Sequence, residues 1–209
     1  MVDPDSVMSI GTQGADCIAS GTLAAGVLCG GMSRRFGIDK AIAPAGRLLL
    51  GQRVITACRD AGIDPVVALG GSFGRQLGVP VIADTDPGAG PLAAVSGALR
   101  WAGVGWVLVA PCDLPLLTAE HVRALTAELH PDRAAVACVA DRPQPSLAVW
   151  PASWARRMRT AVGDGQRSFR AALELGDWDP VPLPIEALED ADDPVTLERL
   201  LQRSEPTVL

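Results

Sequence analysis

The stretch Leu23-Ala-Ala-Gly-Val-Leu28 runs directly into Cys29-Gly30-Gly31-Met32-Ser33-Arg34-Arg35-Phe36-Gly37-Ile38-Asp39-Lys40. An apolar run too short for a helix opens into a glycine turn and then into charge, which reads as a strand feeding a loop. Gly30 and Gly31 lack a Cβ, so their backbone can take positive φ and admit a ligand close to the amide N–H groups, as phosphate-holding loops do. Arg35 and Lys40 supply the matching positive charge. Lys40 is the only lysine in the chain, so a compact, mobile ammonium beside a glycine loop reads as selected.

Neither of the two common glycine patterns fits. No Gly-Lys-Ser/Thr follows the loop, and Gly30, Gly31 and Gly37 miss the Gly-x-Gly-x-x-Gly spacing.

The chain downstream alternates strand and helix patterns. Leu48–Ala61 carries apolar residues at helical spacing (Leu50, Val54, Ile55, Cys58), and Gly62 ends it. Pro65–Leu69 and Val79–Ala83 are short apolar strands, the first ending at Gly70-Gly71 and the second at Asp84. Strand, helix and strand at these distances predict a parallel crossover sheet, whose ligands sit at the carboxyl ends of the strands. Asp84–Leu92 is a loop opening a helix at Pro91, which suits a first turn because its missing N–H costs nothing there. On its residues alone this loop is read equally well as an ordinary strand-to-helix connection.

Trp106–Pro115 is the second informative stretch. A core strand that ends in Asp113, bracketed by Pro111 and Pro115, fixes a carboxylate at the sheet's carboxyl edge, where a divalent cation would bridge it to phosphate oxygens. Thr118 is the better cap for the following helix, although His121 stands where an acid usually completes the box. Ala134–Ala140 and Ser146–Trp150 are predicted strands joined by Asp141–Pro145, with Trp150 and Trp154 as core. Between Asp141 and Arg170 the chain turns basic, and this cluster is read equally as a solvated helix face or as part of a clamp for a phosphorylated substrate. Pro194 begins a last amphipathic helix through Leu197, Leu200 and Leu201.

A net charge of −6 and a pI near 4.9 argue against a nucleic-acid-binding or anionic-membrane surface, so an anionic ligand must be met locally. Five scattered cysteines without a Cys-x-x-Cys pair favour reduced thiols and a cytoplasmic setting over a disulfide framework or zinc site. Residues 1–22 read as a disordered leader without the order of a signal peptide, and no apolar segment is long enough to span a membrane.

The pattern Leu-x-Gly-Gly-x-Ser-x-Arg-x-Gly-x-Asp-Lys at Leu28–Lys40 resembles the signature of nucleotidyltransferases that build nucleotide-linked cofactors and sugars. Within them it is most similar to the molybdenum cofactor guanylyltransferases, with Cys29 for a usual Ala and Phe36 for a usual Met. The Asp84 strand end with its Gly90-Pro91-Leu92 helix start, and Cys112-Asp113-x-Pro115, extend the resemblance over about residues 23–203.

The resemblance implies an α/β three-layer, mainly parallel, Rossmann-like nucleotidyltransferase fold, with residues 23–209 as one domain. It implies transfer of GMP from GTP to molybdopterin with release of pyrophosphate. Asp113 would hold Mg²⁺, Arg35 and Lys40 would bind the triphosphate, the backbone of Leu28, Cys29, Gly30 and Gly31 would read the base, and Asp84 would orient the nucleoside. Arg142, Gln144, Asp190 and Asp192 would face the acceptor. Asp190-Ala-Asp-Asp-Pro194 stands where the family shows Asn-x-Asn-x-Pro, so carboxylates replace amides there. The small-molecule partners implied are GTP and molybdopterin, with transient contacts to molybdoenzymes or other proteins of the cofactor pathway. CTP, another phosphorylated acceptor, and non-catalytic nucleotide or pterin binding are the alternatives left open.

Overall fold

The computed structural model describes residues 22–30, 36–83, 90–103 and 105–204. The glycine loop is preceded by β1 (Leu23–Leu28) and followed by a small hairpin, β2 (Pro44–Ala45) with β3 (Leu48–Leu49). Then come α1 (Leu50–Asp60), β4 (Val66–Leu69), α2 (Gly74–Leu77), β5 (Val81–Ile82), α3 (Pro91–Ala102), β6 (Trp106–Pro111) and α4 (Ala119–Thr126). The second half contains β7 (Ala134–Val139), β8 (Arg142–Pro151), α5 (Ala155–Gly163), α6 (Phe169–Leu173), β9 (Trp178–Pro182) and α7 (Pro194–Ser204).

Seven of these strands form one sheet in the order β5-β4-β1-β6-β8-β7-β9, in which β8 runs against both its neighbours and every other pairing is parallel. Strand periodicity divides the side chains between two faces. Ala25 and Val27 of β1 share a cluster with Val54, Ile55 and Cys58 of α1 and Val122 and Leu125 of α4. On the other face Val107 and Val109 of β6 and Trp150 of β8 meet Leu92, Val95 and Leu99 of α3 and Met158 of α5. The result is helix, sheet, helix, with the mainly parallel order the sequence pattern predicts.

Three local differences separate the structure from the sequence reading, and the first two have physical causes. Asp141–Pro145 is not a connecting loop: β8 starts at Arg142, after a turn in which Ala140 and Asp141 take φ of 47° and 61°. Two successive left-handed residues match the twist of a two-residue hairpin. Pro143 and Pro145 are tolerated because β6 pairs with β8 only over Ala148–Pro151, leaving that side of the proline segment without a β6 ladder. β9, with Pro180 and Pro182, carries no strand signal in sequence and survives as an edge strand, where missing N–H groups are harmless. Leu48 and Leu49 extend into β3, and the helix starts only at Leu50.

Candidate active site at the carboxyl edge of the sheet

β1, β4 and β6 are parallel, so Cys29-Gly30, Gly70-Gly71 and Cys112-Asp113 emerge at one edge. Their spacing is fixed by backbone bonds: the Cys29 amide donates to the Leu69 carbonyl at 2.9 Å, and the Cys112 amide to the Leu28 carbonyl at 3.2 Å. Gly71, at φ +71°, passes so close to Cys29 that a Cβ there would lie 2.9 Å from its carbonyl oxygen, so only glycine fits.

Lys40 opens a single 3₁₀ turn, Lys40–Ile42. The Asp39 carboxylate accepts from the Ala41 amide at 2.9 Å and caps that turn. Ala41 is fully buried against α1, and the Leu50 amide at the helix start donates to the Ala43 carbonyl at 2.8 Å. The lysine therefore leaves a rigid stem.

Asp113 follows buried Cys112 and precedes buried Leu114, so the chain on either side is anchored in the core. Its own carbonyl accepts from the Ala191 amide at 2.9 Å. That bond ties the C-terminal segment to the site. Ala191 is buried with Ala43, Ala45 and Leu50 and with Leu197 and Leu200 of α7. Burying a leucine such as Leu200 contributes about 1.5–3 kcal/mol, so α7 clamps the segment onto the β2–β3 hairpin. Asp193 caps α7 through the Thr196 amide at 2.9 Å and the Thr196 hydroxyl at 2.8 Å. Ala191 points inward, and Asp190 and Asp192 on either side are exposed.

The outcome is a compact charged centre. Lys40 Nζ donates to Asp113 Oδ2 at 2.9 Å and to Asp192 Oδ1 at 2.7 Å. One carboxylate oxygen from each of Asp113, Asp190 and Asp192 lies within 4.8 Å of the others. Burial works to lower the Lys40 pKa, but the hydrogen bonds and charges of Asp192 and Asp113 outweigh it and hold the ammonium above its ordinary value. Among the described residues three carboxylates meet one ammonium here, and their oxygen donors suit a hard divalent cation such as Mg²⁺.

The residues expected from the sequence fall into three groups. Leu28, Cys29, Gly30, Lys40 and Asp113 come together at this edge, and Asp190 and Asp192 join Asp113 and Lys40 there. Arg142 and Gln144 sit at the start of β8, beyond the paired part of β6 on the same edge, with Arg142 exposed. Gly31, Arg35 and Asp84 lie outside the described residues. What sequence reasoning missed is the Asp192–Lys40 bond. Its only trace is the alternation Asp190, Ala191, Asp192, in which a small apolar residue between two charges marks an inward-facing anchor.

Neighbouring groups have structural work. The Thr118 amide donates to His121 Nδ1 at 3.2 Å and the His121 amide to Thr118 Oγ1 at 3.4 Å, so the histidine completes the capping box. Burial, partly offset by Glu120, lowers its pKa, in keeping with a neutral acceptor ring. The thiol of Cys112 is pushed far up, first by its hydrogen bond with Cys29 and then by burial, so it is not a thiolate nucleophile. In the basic stretch, Arg157 stacks over Trp154 at 5.0 Å and donates to the Leu175 carbonyl at 3.0 Å, while Arg156 borders an open groove of about 450 Å³ along α5.

The model of the MobA-like NTP transferase domain matches residues 25–178. A relative from Opitutus terrae named "Probable molybdenum cofactor guanylyltransferase" is 35% identical over 78% of this chain and 86% of its own. One of the same name from Mycobacterium bovis is 37% identical over 74% of this chain and 81% of its own. The fold is shared with molybdopterin-guanine dinucleotide biosynthesis protein A from Archaeoglobus fulgidus, at a TM-score of 0.67 and 23% identity over 86% of this chain and 97% of that one. A nucleotidyl transferase from Methanothermobacter superposes with a TM-score of 0.70 at 17% identity, over 88% of this chain and 99% of that one.

Proposed function

The chain belongs to the MobA-like NTP transferase domain family, and from that membership we propose that it transfers GMP from GTP to molybdopterin, releasing pyrophosphate and forming molybdopterin guanine dinucleotide. The observation that carries this reading is the meeting of Lys40, Asp113, Asp190 and Asp192 beside the Cys29-Gly30 turn, where a triphosphate and its cation would both find partners.

A phosphate acceptor is already ionised at neutral pH, so the reaction needs no general base. Positioning and charge neutralisation lower its barrier. His121 is committed to a helix cap, which agrees. Asp113, with Asp190 and Asp192, would hold Mg²⁺, which when bound neutralises charge on the triphosphate. This moves Asp190 and Asp192 from the acceptor side, where the resemblance puts them, to the metal side. Lys40, with Arg35, would bind phosphate oxygens, the Leu28–Gly31 backbone would read guanine, and Asp84 would orient the nucleoside. Arg142 and Gln144, across the edge on β8, would meet the acceptor. Among the described residues no helix is long and apolar enough to cross a membrane, and we place the reaction in the cytoplasm.

The test is pyrophosphate release from GTP, CTP or ATP, each with Mg²⁺ and with or without molybdopterin. Release that requires both GTP and molybdopterin is expected. Release from CTP in place of GTP, or release indifferent to molybdopterin, would overturn the assignment.

A further inference from the structure

Lys40 and a divalent cation draw on the same oxygens. The ammonium is bonded to two of the three carboxylates that would ligate the metal, Asp113 at 2.9 Å and Asp192 at 2.7 Å. A carboxylate that gives a lone pair to a metal loses negative charge for the ammonium, and two cations within a few ångströms repel each other. We infer that Lys40 is exchanged at this centre: entry of the divalent cation on Asp113, Asp190 and Asp192 releases the ammonium from its two aspartates, and the freed side chain turns to the triphosphate that arrives with the metal. The inference rests on the proposed cation site, and it adds a role for Asp192 as the residue that parks Lys40.

The geometry supports an exchange and not a permanent pair. Lys40 has a fixed backbone, since its turn is capped by Asp39 and seated on α1, so only the side chain is free to move. Its head is confined, with 16% of the side chain exposed, whereas Asp192 is 52% exposed. Asp190 brings a third carboxylate within reach of the other two, so a cation finds ligands even while the ammonium leaves. Without Lys40 the three carboxylates would bind a cation more strongly. With it, the centre discriminates in favour of a cation that brings its own anion, because the nucleotide phosphates then take over the ammonium.

The experiment is calorimetric titration of the full chain with Mn²⁺, in the absence and presence of GTP, for the unmodified protein, Lys40→Met, Lys40→Gln, Asp192→Asn and Lys40→Met/Asp192→Asn. Without nucleotide, Lys40→Met and Lys40→Gln should each bind Mn²⁺ about tenfold more tightly than the unmodified chain, as expected when a unit charge is removed from beside the ligands. Asp192→Asn should weaken binding more in the Lys40→Met background than alone, by about threefold or more, because the lysine no longer masks that carboxylate. With GTP present, the advantage of the Lys40 variants should vanish. Equal Mn²⁺ affinity in the unmodified chain and both Lys40 variants, or an additive cycle, overturns the exchange while leaving the cation site standing. Absence of Mn²⁺ binding in every protein, with or without GTP, overturns both.

Discussion

Replacing Lys40 with Met separates what the residue does for the fold from what it does for the reaction. The linear side chain keeps the stem's shape, so packing of the 3₁₀ turn on α1 is retained and only the ammonium is lost. That ammonium makes two bonds, one to Asp113, whose side chain is 21% exposed, and one to Asp192, which is half exposed at 52%. Partly solvated pairs of this kind contribute about 1 kcal/mol or less, because water and side-chain entropy offset most of the attraction. The bonds that hold the site's backbone, Ala191 to Asp113 and Leu50 to Ala43, do not involve the side chain. Unfolding in urea should therefore show a loss on the order of 1 kcal/mol. If the ammonium binds charge developing on the phosphates, its removal should lower pyrophosphate release by a hundredfold or more, equivalent to about 3 kcal/mol. The rate penalty should exceed the stability penalty severalfold. Near-normal release by Lys40→Met would refute the reasoning and reduce Lys40 to a tie for the C-terminal segment, and so would a stability loss as large as the rate loss.

The same pairs give a pH signature. Burial opposes the shift, but Asp192 and Asp113 raise the Lys40 pKa above 10.5, so their stabilisation is complete below that value and is lost as pH climbs through the higher folded value. Urea unfolding of the unmodified chain should weaken more steeply above pH 10.5 than that of Lys40→Met, and parallel curves would contradict this. At the start of α3, Gly90 has φ +81° and ψ 177°, and an added Cβ would lie 2.9 Å from the Arg167 carbonyl. Gly90→Ala should cost about 2–3 kcal/mol on thermal unfolding, whereas Gly97→Ala in the same helix, with open space around it, should stabilise by about 0.5–1 kcal/mol. Leu200→Ala should cost about 2–5 kcal/mol and also weaken Mn²⁺ binding, because Leu200 is fully buried under the segment that carries Asp190 and Asp192. Val195→Ser on the same helix, at 77% exposure, should change neither by a measurable amount.

The central strands and the edge that carries the candidate site were legible because period and punctuation agree there. Leu23–Leu28 and Trp106–Pro111 are apolar runs cut off by glycine, or by proline and aspartate, so both the strand and the turn that ends it are written locally. Trp150 and Trp154 were read as core from the burial tendency of their residue type, and both are fully buried. β9 was not legible, since Pro180 and Pro182 deny a ladder that only an edge position excuses. Nor was the Lys40–Asp192 bond, which joins residues 152 positions apart. Its cause is tertiary: Ala191 fills a small niche between the β2–β3 hairpin and α7, and its amide reaches the Asp113 carbonyl. The resemblance suggests the acceptor for Asp190 and Asp192 because they stand where the family shows Asn-x-Asn-x-Pro, and in sequence nothing near them points to Asp113.

The most direct test of the central claim follows the label of the nucleotide. The full chain is incubated with molybdopterin, Mg²⁺ and GTP carrying phosphorus-32 at either the α or the γ position, and the products are separated and identified by mass. The account predicts that α label appears in a molybdopterin–GMP dinucleotide while γ label appears in pyrophosphate, and that Asp113→Ala abolishes both. Label from the γ position in free phosphate with the α label in GDP, or an α-labelled dinucleotide formed equally well by Asp113→Ala, would contradict it.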